Sequence, residues 1–212
     1  MTRWRNRLLG ICAGLAVALA IAGQRHQQAD APLLPENEGR IAAVEIQYAP
    51  GSPELTRCIR EFLGHLPPET EVIAACPDEQ ACAEFRRMAQ GWGLSRVSTV
   101  DAGAPITGWA KDRFLVTDRE PRTLLTPRQE TEGFASRTND QRVAPALVRA
   151  FPDRFRTEAL PIRFDSGDIL ATRHTVFVSD VLWSKNEHSG FGSKAELARY
   201  LRKTFGRKVV WL

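Results

Sequence analysis

The sequence predicts an α/β domain that follows an N-terminal apolar segment, and three observations support this prediction. Short apolar runs of strand length alternate with longer stretches whose apolar residues recur at helical spacing. Ser, Pro or Asp stands where the predicted helices begin, and Gly stands where they end. The composition, 43% hydrophobic and 25% charged over 212 residues, is that of a globular protein with one or at most two domains.

The N-terminus has the pattern of a secretory signal. Residues 1–7 carry three arginines, and residues 8–23 form an apolar and small-residue run without a charge. This run is shorter than the roughly 18 to 20 residues that span a bilayer, which favours a cleaved signal over a permanent anchor. We expect residues 1–31 to be a signal peptide or short membrane anchor, and the product to be exported, either periplasmic or extracellular. Membrane attachment through residues 8–23 is the alternative if the signal is not cleaved.

Charge and cysteine content narrow the classes of partner and site. The net charge of +4 comes from arginines spread along the chain, without the basic run of a nucleic-acid-binding protein. In an oxidising compartment Cys58, Cys76 and Cys82 could form at most one internal disulfide. The alternative, equally supported by the sequence, is that these cysteines are buried free thiols that pack as small apolar side chains. No His or second Cys stands at a metal-ligand spacing, so we predict no metal site.

The first half of the domain is predicted to alternate strands with helices, after a polar linker at residues 32–40. The predicted strands are residues 41–47, 71–75, 96–100 and 113–117. The first helix begins at Ser52-Pro53, which supplies a cap and a first-turn proline. The second opens at Pro77-Asp78 and stops at the glycines around Trp92.

The second half begins with a polar stretch, residues 118–139, that lacks apolar periodicity and is predicted to be a long loop. A helix at 142–150, strands at 169–172 and 175–178, a helix opened by a capping box at Ser193 and a final strand at 208–212 follow. No Gly-x-Gly-x-x-Gly or P-loop motif is present, so no nucleotide cofactor is implied.

Two short segments concentrate groups that could bind a ligand. Phe164-Asp-Ser-Gly-Asp168 places Asp165 and Asp168 directly before a strand, and Trp109-Ala-Lys-Asp112 also precedes a strand. A carboxylate beside a strand belongs to a turn, a sheet edge or a site, because burial without a partner costs free energy. A planar guanidinium with several N–H donors is a ligand that such paired carboxylates would suit.

These segments resemble motifs of the guanidino-group-modifying, or pentein, superfamily. Trp109-Ala-Lys-Asp112 is similar to the Trp-x-Arg-Asp segment of agmatine deiminases and bacterial peptidylarginine deiminases. Phe164-Asp-Ser-Gly-Asp168, followed by Lys185-Asn186, resembles the Glu-x-Gly-Asp/Asn segment of the wider superfamily, which includes arginine deiminases and amidinotransferases. The closing residues 208–212 are similar to the strand before the catalytic His-x-Asp of agmatine deiminases.

The resemblance implies a fold and a site. The fold is an α/β-propeller of five strand-helix modules, of which residues 41–212 would form about three, and no cofactor is implied. The implied ligand is a small guanidino compound or an arginyl peptide. The implied catalytic residues are Asp112 and Asp165, and the implied substrate-binding residues are Trp109, Lys111, Gly167, Asp168 and Asn186.

Departures from the family pattern leave two hypotheses open. Lys111 replaces the family's arginine, Asp165 replaces its glutamate, and Ser166 replaces a frequent glycine. The family's histidine and C-terminal cysteine would follow residue 212. The first hypothesis is the N-terminal part of an exported guanidino-group hydrolase that is inactive as it stands. The second is a non-catalytic exported α/β module that binds cationic ligands or a protein partner. The sequence does not predict an oligomeric state.

Overall fold

Three separate three-stranded sheets make up the part of the chain that the structure describes. The computed structural model describes residues 32–36, 38–128 and 138–212, and the side chain of Lys111 is outside that description. The signal segment expected at residues 1–31 lies outside the described residues. None of the described helices is both long and apolar enough to cross a membrane.

The first sheet is parallel, with the order β1-β2-β3, and its strands are connected by two helices. Its elements are β1 (Ala43–Gln47), α1 (Pro53–Gly64), β2 (Glu71–Cys76), α2 (Glu79–Gly91) and β3 (Val97–Asp101). Every one of these elements was predicted to within a few residues. The order leaves β1 at an edge of the sheet.

Side-chain caps start both helices of the first sheet where the sequence predicts. The Ser52 hydroxyl accepts a hydrogen bond from the Leu55 amide at 3.2 Å, and the Asp78 carboxylate accepts one from the Ala81 amide at 2.8 Å. Each cap satisfies an amide that has no partner in the first helical turn. The helix starts are therefore fixed locally, by residues next to the helices themselves.

The second and third sheets share one topology, an antiparallel pair followed by a helical crossover to a third, parallel strand. The second sheet contains β4 (Leu115–Val116), β5 (Arg122–Thr126), α3 (Val143–Ala150) and β6 (Phe155–Ala159). The third contains β7 (Ile169–Ala171), β8 (Thr175–Val178), α4 (Asp180–Asn186), α5 (Lys194–Phe205) and β9 (Lys208–Trp211). In both sheets the strand that pairs on two sides is the second in chain order.

The loop predicted for residues 118–139 is wrong in its first part, because β5 lies there and is the central strand of the second sheet. Residues 129–137 of that loop lie outside the described residues. Strand β6 and helix α4 were also not predicted. These elements are short and polar in sequence, and pairing with neighbours stabilises them where periodicity gives no signal.

The predicted linker at residues 32–40 packs partly into the domain. Leu33 is 2% exposed and bridges to Thr117, and the Leu34 amide donates to the carbonyl of Val116 at 2.7 Å. The Arg207 guanidinium donates to the Leu33 carbonyl. The polar composition of residues 32–40 gave no indication that Leu33 is buried and anchors this segment.

Apolar clusters cover both faces of the first sheet. Ile46, Val72 and Phe85 belong to the cluster between the sheet and helices α1 and α2. On the opposite face, Ala75 and Phe114 belong to a cluster that includes helix α3. A third cluster packs α5 against the third sheet. The second face of the first sheet is therefore turned toward residues 106–114, which carry part of the predicted site.

Candidate functional site

The segment from Asp165 to Asp168 is a short 3-10 turn that is locked by its own carboxylates. The Asp165 side chain accepts a hydrogen bond from the Asp168 amide, and the Asp168 Oδ2 accepts one from the Asp165 amide at 3.0 Å. The Ser179 hydroxyl donates to Asp168 Oδ1 at 3.2 Å. The sequence predicted either a turn or a site at this segment, and the turn is present.

Lys185 on helix α4 bridges the two carboxylates. Its Nζ donates to Asp165 Oδ2 at 2.7 Å and to Asp168 Oδ2 at 2.6 Å. Burial opposes the charge of Lys185, but the hydrogen bonds that it donates to both carboxylates and their negative charges outweigh burial and raise its pKa. Two carboxylate oxygens therefore converge on one point where a cationic nitrogen sits.

Asp112 ends a second 3-10 turn, Ala110–Asp112, that lies beside the first. Cα atoms of the two turns lie within 8 Å of one another. The Ser166 hydroxyl donates to the Phe114 carbonyl at 2.6 Å, and this buried hydrogen bond ties the two chain segments together. The structure thus brings the turn of Asp112 next to that of Asp165, although 52 residues separate Phe114 and Ser166.

A buried cation lies on the same side of the site. Arg113 is 1% exposed, and its NH1 is 4.0 Å from Asp165 Oδ1. Asp165 is therefore flanked by Lys185 at hydrogen-bond distance and by Arg113 at a longer one. A carboxylate between two fixed cations stays in one orientation.

Trp109 is 57% exposed and is the large apolar side chain of the site that faces solvent. Its amide donates to the Thr107 hydroxyl, and Thr107 is held in turn by the fully buried Asp140, which accepts from the Thr107 amide at 2.8 Å and from its hydroxyl at 2.7 Å. A side chain at Gly108 would approach Leu55 to 2.5 Å, so this position requires glycine unless Leu55 moves. Asp140 therefore supports the loop that presents Trp109.

The other residues named from the resemblance have different surroundings. A Cβ at Gly167 would meet no atom within 4 Å, so the surface at this position is open. Asn186 is fully buried, and its amide bonds internally, accepting from the Arg163 amide and donating to the carbonyls of Arg163 and Leu182. Asn186 holds the chain beside Lys185 and presents no group to a ligand in this arrangement. Lys111 lies in the turn of Asp112, and its side chain is outside the described residues.

The cysteines lie elsewhere. Cys76 and Cys82 are buried in the cluster that faces α1 and α2, and burial raises the pKa of both thiols. For Cys58 the sequence allowed a disulfide or a buried free thiol, but it is a free thiol exposed on α1. All three are free, and none belongs to the two turns.

Sequence reasoning missed Lys185, Arg113 and Asp140 as parts of the site. Two carboxylates three residues apart before a strand were a signal that a cation should be nearby. The sequence did not show which of its 29 basic residues that cation would be. Two hints were present, since Lys185 stands beside Asn186 in the motif that carries the resemblance and Arg113 follows Asp112 directly.

Comparisons with known proteins bear on the fold. The sequence matches no protein-family profile and no curated protein. Among solved structures, a Campylobacter jejuni ("C. Jejuni") agmatine deiminase superposes with a TM-score of 0.65 at 13% identity, covering 85% of this chain and 55% of that one. A putative agmatine deiminase superposes with a TM-score of 0.65 at 15% identity, covering 88% of this chain and 54% of that one. A putative peptidyl-arginine deiminase superposes with a TM-score of 0.61 at 15% identity, covering 87% of this chain and 57% of that one.

Identities this low establish the fold alone, and the chain spans somewhat more than half the length of the structures it matches. The alternation of elements, the three sheets and the adjacent turns agree with the motif order that suggested the resemblance. The chain therefore shares its fold with somewhat more than half of the agmatine deiminase structures.

Proposed function

We propose that this chain binds the guanidino group of a small compound or an arginyl peptide at the surface formed by the turns of Asp112 and Asp165. The observation that carries the proposal is the meeting of these two carboxylate-bearing turns. A guanidinium presents five N–H donors in one plane, and carboxylates at a shared surface are its natural acceptors. One of the structural neighbours is a C. jejuni agmatine deiminase variant with substrate bound, which makes a guanidino ligand a consistent choice.

The charges of the site suit a single guanidinium. Asp112, Asp165 and Asp168 supply three negative charges, and Lys185 and Arg113 supply two positive ones. One net negative charge remains among these five residues. A guanidinium would neutralise it, whereas a carboxylate-bearing end would have to stay away from the acidic turns.

Lys185 positions two of the carboxylates. It binds the Oδ2 atoms of Asp165 and Asp168, and we propose that the ligand binds the carboxylates of Asp112 and Asp165 beside this bridge. Trp109, exposed beside these groups, offers an indole face on which a planar guanidinium stacks favourably. Gly167 leaves the approach open.

We further propose that the described residues bind a guanidino group without hydrolysing it. Hydrolysis by the route that the resemblance implies needs a reactive thiolate at the guanidinium carbon and a group that transfers protons. Cys76 and Cys82 are buried thiols with raised pKa values on the far side of the first sheet, and Cys58 is on the surface of α1. The three sheets are proposed to be consecutive modules of an α/β-propeller, and residues 1–31 to direct export.

The test is isothermal titration of the full chain with agmatine and with arginine, together with Asp112→Asn and Asp165→Asn. We expect each substitution to weaken binding by about tenfold or more, since each removes a charge-assisted hydrogen bond. Asp153→Asn, a change at an exposed aspartate outside the two turns, is the matched control and should bind as the unaltered chain does. Binding that neither Asp112→Asn nor Asp165→Asn weakens would refute the proposal.

A second measurement addresses hydrolysis. Ammonia and ureido product are assayed with agmatine, arginine and an arginyl peptide, and no turnover is expected. Turnover that disappears when Cys58, Cys76 or Cys82 is replaced by Ser would overturn the non-hydrolytic part of the proposal. That result would leave the binding site itself standing.

A further inference from the structure

Strand β1 carries buried polar atoms whose presence the fold does not explain. Gln47 is 1% exposed, and neither its Oε1 nor its Nε2 has a hydrogen-bond partner among the described residues. Glu45, two residues earlier, is half-buried, and its buried Oε1 also lacks a partner in the described part of the chain. Burying a polar group without a partner is unfavourable, so a group that the protein itself leaves unpaired usually has a ligand, ion or water as its partner.

Both side chains project from the face of the first sheet that helices α1 and α2 do not cover. Residues 45 and 47 alternate with Ile46, which packs against those helices, so they point to the opposite face. Gln47 pairs in register with Ala75, and Ala75 packs in the same cluster as Ile106 and Phe114. That cluster brackets the segment that carries Trp109 and Asp112.

Strand β1 also lies directly against the turn of Asp112, with Cα atoms within 8 Å. As an edge strand it has no neighbouring strand on one side among the described residues. The unpaired groups are therefore adjacent to the proposed guanidino site and separate from Asp165, Asp168 and Lys185.

We propose that Glu45 and Gln47 form a second wall of the guanidino site that hydrogen-bonds the main-chain amide of an arginyl compound, an inference that rests on the proposed function. A primary amide offers one acceptor and two donors, and a peptide unit, with one N–H and one C=O, is its complement. Agmatine has no carbonyl group and would leave the Gln47 amino group unpaired. The inference therefore favours amides of arginine over the free amine.

The raised pKa of Glu45 agrees with a preference for amides of arginine over the free amine. Burial, followed by the negative charge of Asp140, raises the pKa of Glu45 to about 8. Near pH 7 the carboxyl is mostly neutral, so the wall attracts a second positive charge only weakly. Among the described residues, Asp140 and Asp112, the latter on the turn packed against β1, are titratable groups that neighbouring elements bring to this region.

The experiment compares two probes whose guanidinium groups stay charged between pH 6.5 and 9, N-acetyl-argininamide and agmatine, by titration calorimetry with the full chain. At pH 7 we expect N-acetyl-argininamide to bind about tenfold more tightly, as one well-formed amide hydrogen bond implies. Gln47→Leu should remove that preference. At pH 9, where Glu45 is ionised, the preference should shrink, and in Glu45→Gln it should not shrink.

A stability measurement guards against a misfolded variant. Because Gln47→Leu replaces an unpaired buried amide by an apolar group of similar size, its urea midpoint should equal or exceed that of the unaltered chain. Lower stability together with weaker binding of both probes would overturn the inference, because Gln47 would then be structural. Binding of both probes that depends on Asp112 and Asp165 but not on Glu45 or Gln47 would overturn this inference alone. Failure of the unaltered chain to bind either probe would overturn the proposed function and this inference with it.

Discussion

Replacing Lys185 by Met is predicted to destabilise the folded chain by about 2 kcal/mol. The substitution keeps most of the volume of the side chain and removes two charge-assisted hydrogen bonds, to Asp165 Oδ2 at 2.7 Å and to Asp168 Oδ2 at 2.6 Å. A hydrogen bond to a charged group contributes about 1.5–3 kcal/mol. Both bonds share one ammonium group that is 27% exposed, so water replaces part of the loss and the sum is discounted to about 2 kcal/mol.

The measurement is urea unfolding followed by circular dichroism, with thermal unfolding as a second readout. For a chain of this size, 2 kcal/mol corresponds to a fall of about 4–8 °C in Tm. Lys203→Met, at an exposed lysine of α5, is the matched control, and its free energy of unfolding should change by less than about 0.5 kcal/mol. The double variant Lys185→Met/Asp165→Asn should lose less than the sum of the two single variants, because the two residues interact directly.

A loss below about 0.5 kcal/mol in Lys185→Met would refute the reasoning. The bridge would then be screened by solvent as an ordinary surface ion pair is. Full additivity in the double variant would refute it as well, because it would mean that Lys185 and Asp165 do not interact in solution. Either result would also remove the argument that Lys185 holds the carboxylates of Asp165 and Asp168 in place.

Three further predictions follow from other contacts. Arg154 donates to both carboxylate oxygens of Glu71 at 2.8 Å, and these hydrogen bonds lower the pKa of Glu71. The pair therefore stabilises the fold above about pH 4.5, and this stabilisation is lost as pH falls through the lowered pKa. Glu71→Gln should accordingly make the free energy of unfolding less dependent on pH in the acid range. Ser166→Ala leaves the Phe114 carbonyl without its buried donor and should lower the free energy of unfolding by about 1–2 kcal/mol in urea, an unchanged midpoint being the contrary result. Cys58 is exposed and should react with a thiol reagent in the native chain, whereas the buried Cys76 and Cys82 should react only after denaturation. Fast reaction of three equivalents of reagent with the native chain would contradict the burial of Cys76 and Cys82.

Much of the fold was predictable because its signals are local. The Ser52 and Asp78 caps and the left-handed Gly206 that ends α5 act through adjacent residues, so the sequence places these helix ends correctly. Strand β5 shows that local sequence signals do not predict every element. It pairs with β4 on one side and β6 on the other, and its partner in β6 begins 33 residues after its own start. A strand stabilised by such distant partners carries little periodic pattern of its own.

The sequence by itself determined the alternation of strands and helices, the positions of most of their ends, and the residue types of the site, because caps, prolines, glycines and apolar spacing act over a few residues. The resemblance of two short motifs also pointed to the fold that the solved structures share. Only the tertiary structure decided that Lys185 bridges Asp165 and Asp168, that Asn186 is an internal support, and that β1 turns Gln47 toward the segment of Asp112. The physical reason is that hydrogen-bond partners and burial are set by packing between segments distant in the chain, and no local pattern encodes which of many polar groups will meet.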